Sequence, residues 1–194
     1  EVGVLYSPFM ILPAKTTRQS GFLMPDYGIS EKRGFYYTQP YFWAIDESHD
    51  MTIYGGLMSK VGPLFSLEYR AHEFTGQKTW LAATGIYDRD RVVSPGSGRV
   101  EESDYARTNH DRYWLRGMTD GYLGASTWKY RANLDFVSDQ DYLREFNQGP
   151  VGFDRTRDTL FQMFGRDLQE DDQNRVSAGL LSNDWQRVGV VASV

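Results

Sequence analysis

From Ser126 to Ser138 the chain alternates. Trp128, Tyr130, Ala132, Leu134 and Phe136 fall on one side, and Lys129, Arg131, Asn133, Asp135 and Val137 on the other. Successive side chains of a β-strand point to opposite faces, so this spacing makes a ribbon with one apolar and one mainly polar face. Pro63 to Glu73 repeats the pattern, with Phe65, Leu67, Tyr69 and Ala71 opposed to Ser66, Glu68, Arg70 and His72. Further strand-like stretches run over Phe35–Ala44, Asp50–Ser59, Lys78–Tyr87, Arg112–Gly121, Asn174–Ser182 and Gln186–Val194. The expected fold is all-β and antiparallel. One short helix is expected over Asp158–Leu168, with Leu160, Phe161, Phe164 and Leu168 at helical spacing and Asp158 as its cap.

Connection lengths narrow the architecture. The gaps at 45–49, 75–77, 122–125 and 183–185 are short, whereas those at 88–111 and 139–173 are long, polar and charged. Along an up-and-down meander the short and long gaps fall at opposite ends of the sheet, with the brief gap at 60–62 lying at the long-loop end. Transmembrane barrels sort their connections in this way, and a soluble sandwich has no reason to. The sorting also calls for one more strand through Ser20–Ser30, with Glu31–Gly34 as its turn, which gives about nine barrel strands. That strand contains Pro25 and the next contains Pro40. Proline removes a ladder donor, so the two together either mark loop boundaries or form a weakly paired seam.

The polar faces carry Glu68, Arg70, Arg116, Lys129, Arg131 and Asp135. In a barrel these must face the lumen, because Arg or Lys against lipid costs about 2–4 kcal/mol at mid-membrane. Aromatic residues form 15% of the chain, enough to furnish both an outward stripe and interfacial girdles. Trp43, Trp80, Trp114, Trp128 and Trp185 are candidates for these, but Trp114 lies between Arg112 and Arg116 and is expected to pack inside.

The net charge of −5 disfavours a nucleic-acid surface. The absence of cysteine excludes disulfides and thiolate metal sites. No apolar run approaches the ~18–20 residues of a membrane helix. His49, His72 and His110 are scattered without ligand spacing, and no nucleophile or phosphate-binding motif occurs, so no catalytic residue, metal or cofactor is expected. The acidic groups Asp88/Asp90, Glu101/Glu102/Asp104 and Glu170/Asp171/Asp172 do not follow a calcium-loop pattern and are expected to be solvated. The chain opens at Glu1 with no basic-then-apolar leader, as expected of a mature chain or an excised piece.

Several segments, in this order, carry a resemblance. They are Leu5-Tyr6-Ser7-Pro8-Phe9, Ser20-Gly21-Phe22-Leu23-Met24-Pro25, and Gln39-Pro40-Tyr41-Phe42-Trp43-Ala44-Ile45 followed by Asp50. Leu67-Glu68-Tyr69-Arg70 and Val137-Ser138-Asp139-Gln140-Asp141-Tyr142-Leu143 with Phe146 complete the set. The chain resembles the LptD family of lipopolysaccharide-assembly outer-membrane proteins, also called the organic solvent tolerance family. The resemblance implies that residues 1–15 end a periplasmic β-jellyroll and that 20–194 form the first strands of an outer-membrane β-barrel, left as an open edge at Val194. It implies a lateral gate at Pro25 and Pro40. The implied partners are lipopolysaccharide, outer-membrane lipid, a plug lipoprotein (LptE) in the lumen and a periplasmic bridge protein (LptA). The alternative is a soluble β-sandwich or a small outer-membrane barrel acting as a lipid-binding or structural module.

Overall fold

The computed structural model describes residues 18–73, 76–89, 110–124, 126–139, 141–170, 175–183 and 188–193. Residues 1–15, Asp90, Glu101, Glu102, Asp104, Asp171, Asp172, Trp185 and Val194 therefore lie outside the described residues.

The strands are β1 (Gly21–Phe22), β2 (Asp26–Ser30), β3 (Gly34–Ala44), β4 (His49–Met58), β5 (Gly62–His72), β6 (Lys78–Tyr87), β7 (Asp111–Tyr122), β8 (Trp128–Val137), β9 (Ala178–Asn183) and β10 (Val188–Ser193). All join one antiparallel sheet in chain order, and β1 and β2 share the same edge of β3. Ten strand segments thus fill nine positions. β3 to β8 are 10–12 residues long, close to the ~9–11 that a tilted strand needs to cross a bilayer.

The turns are locally encoded. Between β3 and β4, Asp46 Oδ1 accepts the backbone N–H groups of Ser48 and His49, both at 2.8 Å. Its bonds to the His49 ring and to the Ser48 amide hold the Asp46 carboxyl below the usual carboxylate range. The turn into β3 ends on Gly34, whose φ of 68° is left-handed. A Cβ there would sit 2.2 Å from Ser59 Oγ.

The alternation resolves into two unlike faces. Phe35, Leu57, Phe65, Leu81, Leu115, Leu134 and Phe136 are exposed on one. Tyr54, Leu64, Trp80, Ile86, Trp114 and Met118 are buried on the other, which we call the inner face. What buries it is the connection between β8 and β9. The sequence suggests a solvated loop with one helix over 158–168. The described residues of this connection form two helices, α1 (Asp141–Glu145) and α2 (Phe153–Phe164). Gly152 rather than Asp158 is the N-cap, and Asp158 lies inside α2. Gly165, at a φ of 69°, ends the helix: its N–H bonds the Phe161 carbonyl and the Arg166 N–H bonds that of Leu160, so Leu168 falls beyond it.

The two helices and their flanking coil set Tyr142, Leu143, Phe146, Phe153, Leu160 and Leu168 against the inner-face residues as one core. Burying each such side chain contributes about 1.5–3 kcal/mol, which is why a long, outwardly polar connection folds back onto the sheet. Burial also pushes the Tyr142 phenol up to about 12, so it stays neutral beside two guanidinium groups.

Candidate functional site

The six polar residues singled out in the sequence share the inner face. Cross-strand pairing puts Arg116 opposite Asp135, Arg131 opposite Asp120 and Lys129 opposite Tyr122. Glu68 and Arg70 are paired with Thr52 and Asp50 of β4. Their surroundings differ along the strands. Glu68, Arg116 and Asp135 lie under the helices and are 5%, 2% and 3% exposed, whereas Lys129 and Arg131 lie beyond the helices and are open. A uniformly hydrated inner face is therefore not what the fold contains, because the returning connection dries its centre.

Burial of those charges is matched by pairing. Glu68 accepts from the Tyr54 hydroxyl at 2.8 Å and from Trp80 Nε1 at 3.0 Å, and Arg155 of α2 approaches to 3.9 Å. Arg70 bonds Asp50 through Nε at 2.6 Å. Arg116 donates to Thr84 Oγ1 at 2.6 Å, to Thr156 Oγ1 at 3.2 Å and to the Val151 carbonyl at 3.0 Å, while its guanidinium covers the Trp114 ring at 4.2 Å. Asp135 accepts from Trp114 Nε1 at 2.9 Å and from Arg175 at 2.8 Å. Burying a charge without such hydrogen-bonding partners would be costly. In the open region, Arg131 reaches Asp120 at 3.2 Å and Lys129 lies 5.6 Å from the Tyr122 ring centre.

One buried cation was not singled out in the sequence. Arg112 at the start of β7 bonds Asp139 at 2.7 and 3.0 Å, Asp88 at 3.3 Å, and Glu145 of α1. Asp88, expected to be solvated, is 1% exposed and pairs with Arg112. The sequence signal was present in the alternation, which puts Arg112, Trp114 and Arg116 on one face. The acidic partners come from two different loops and have no spacing that announces them. Among the described residues no group of three or more His, Asp or Glu is arranged to hold a metal ion.

Trp114 packs inside as expected, and Trp80 joins it, both almost fully buried. Trp43 lies exposed at the end of β3.

The prolines meet at a break in the ladder. The expected strand over 20–30 is split: Pro25 lies between β1 and β2, inside neither, and Pro40 lies within β3. Between the pairs Phe22–Tyr41 and Asp26–Thr38, three residues (23–25) face two (39 and 40). Leu23 N–H bonds the Pro40 carbonyl at 3.0 Å. In an antiparallel ladder a residue's N–H and C=O point to the same neighbour, so the donor that Pro40 lacks is missing on this side only. The β3–β4 ladder runs unbroken past it.

Two family models match the chain, "LptD protein" over residues 2–71 and "LPS transport system D" over residues 110–190. An LPS-assembly protein LptD of Haemophilus influenzae is 30% identical over 149 residues, covering 75% of this chain and 17% of the relative. Proteins of the same name from Xanthomonas oryzae and Xylella fastidiosa are each 28% identical, over 188 and 191 residues. They cover 95% and 96% of this chain, and 20% and 21% of their own lengths. The chain thus spans about a fifth of the length of these relatives. With both family models falling on the strands that carry the two-faced alternation, and relatives aligned through nearly all of it, the chain belongs to the LptD family.

Proposed function

We propose that this chain forms part of the wall of an outer-membrane barrel that delivers lipopolysaccharide to the outer leaflet, with residues 20–194 as its first strands and residues 1–15 as the end of a periplasmic jellyroll. The supporting observation is the combination of a two-faced sheet with a ladder that breaks at Leu23–Pro25 and Pro40. The exposed aromatic and aliphatic face suits lipid, and the inner face, carrying Glu68, Arg70, Arg116, Lys129, Arg131 and Asp135, suits the lumen. A sandwich would need a second sheet over the apolar face, and all the described strands belong to one sheet.

In this reading Pro25 and Pro40 belong to a lateral gate: acyl chains leave beside the weakly tied first strands while the sugar moiety passes along the polar face. The chemistry is transport, with no bond made or broken by the protein. A plug lipoprotein (LptE) in the lumen and a bridge protein (LptA) at the periplasmic end are the partners the family resemblance suggests.

Substituting Pro25→Val together with Pro40→Val is expected to tighten the seam. The backbone bond regained at position 40 is worth about 1 kcal/mol. Delivery of labelled lipopolysaccharide in reconstituted vesicles should then slow several-fold. Unchanged delivery in the double variant would remove the gate role.

A further inference from the structure

The side chain of Gln39 is out of place. It lies in β3 between Thr38 and Pro40, which face inward, so it projects from the apolar face with Tyr37 and Tyr41. Its cross-strand neighbour on β4 is Gly55, which offers it no side chain. A carboxamide on a face turned to hydrocarbon is costly unless every polar atom is satisfied.

Here each one is. Gln39 Nε2 donates to the Leu23 carbonyl at 2.8 Å and to the Pro40 carbonyl at 3.0 Å, and Oε1 accepts from the Tyr37 hydroxyl at 2.7 Å. The orientation of the amide follows from chemistry, since only its N–H₂ end can face two carbonyl oxygens. The Leu23 carbonyl is the group that a residue-40 N–H would have served, because Leu23 already gives its own N–H to Pro40.

We propose that Gln39 is a positioning residue of the seam: its side-chain amide supplies, from the lipid side, the donor that Pro40 cannot. The inference rests on the gate reading for its functional meaning. A backbone carbonyl left unpaired in hydrocarbon would force the strand apart, whereas a continuous backbone ladder would lock it. A side-chain bridge lies between these extremes. It closes the joint, yet can be released by rotating one side chain without disturbing the β3–β4 ladder. Tyr37 holds the amide in register.

The test is a cycle of four forms of the full-length protein in lipid nanodiscs: the parent, Gln39→Leu, Pro40→Ala and the double variant. Hydrogen exchange is read at the Leu23 amide. Gln39→Leu should speed exchange about fivefold, as for loss of one net hydrogen bond. In the Pro40→Ala background the same substitution should leave exchange unchanged, because residue 40 now carries its own donor. Gln39→Met, similar in length but lacking the donor, should match Gln39→Leu. Equal acceleration in both backgrounds, or none in the parent, would overturn the inference. Lipopolysaccharide delivery by the same four forms separates it from the gate reading. If exchange follows the predicted pattern and delivery does not change, the gate reading fails and Gln39 is a structural bridge only.

Discussion

Arg112→Met should release the helical connection from the sheet while leaving the strands paired. The guanidinium is 1% exposed and is the shared partner of Asp88, Asp139 and Glu145, which come from two different connections of the sheet. Methionine keeps most of the volume and removes the charge, leaving three carboxylates crowded into a site with little water. Breaking a buried pair from one side costs about 3–5 kcal/mol, far more than such a pair contributes over a well-packed apolar substitute. The easiest relief is for α1 to lift away, taking Glu145 and Asp139 into solvent. Hydrogen exchange across 141–146 should therefore rise by more than tenfold, with exchange in β4 to β6 unaltered. Arg131→Met, at an exposed pair, provides the control and should change little. If α1 stays protected in Arg112→Met, the apolar contacts of Tyr142 and Leu143 hold the segment without help.

Phe65→Arg is the second large effect, and it depends on the solvent that meets the outer face. Phe65 is 55% exposed near the middle of β5, with Gly55 and Gly85 as its cross-strand neighbours. On a water-facing surface such a change stays within about 0.5 kcal/mol. Against the hydrocarbon centre of a bilayer it costs about 2–4 kcal/mol. Folding equilibria of the full-length protein in phospholipid vesicles distinguish the two, and the larger penalty is expected.

Much of this was legible in the sequence for a plain reason: strand periodicity is exact and local. The run from Trp128 to Val137 specifies which side chains share a face, and the antiparallel meander then carries that assignment from β3 to β9. Glu68, Arg116 and Asp135 could be placed on one face before any coordinates. Their dryness could not, because it comes from Tyr142 of α1 and from Phe153 and Leu160 of α2, two separate helices whose return onto the sheet no local pattern announces. Asp88 read as a loop carboxylate for the same reason, its partner Arg112 being 24 residues away. Pro25 and Pro40 both fall at the break in the ladder, but the side on which the Pro40 donor is missing depends on register. Gln39 was invisible, since a lone polar residue on an apolar face looks like noise in a pattern until the carbonyl it serves is known.

If, as proposed, this segment guides lipopolysaccharide past the first strands of a barrel wall, the substrate must touch the seam and the open inner face. The most direct test is site-specific photocrosslinking in vesicles free of lipopolysaccharide, with a labelled pulse supplied from the periplasmic side of the full-length protein. Probes replace Met24 at the ladder break, Arg131 on the open inner face, and Leu81 on the apolar face of β6. Labelled adducts are expected at Met24 and Arg131 during delivery and none at Leu81, which should capture phospholipid. Adducts at Leu81 equal to those at Met24, or none at Met24 while delivery proceeds, would contradict the proposal.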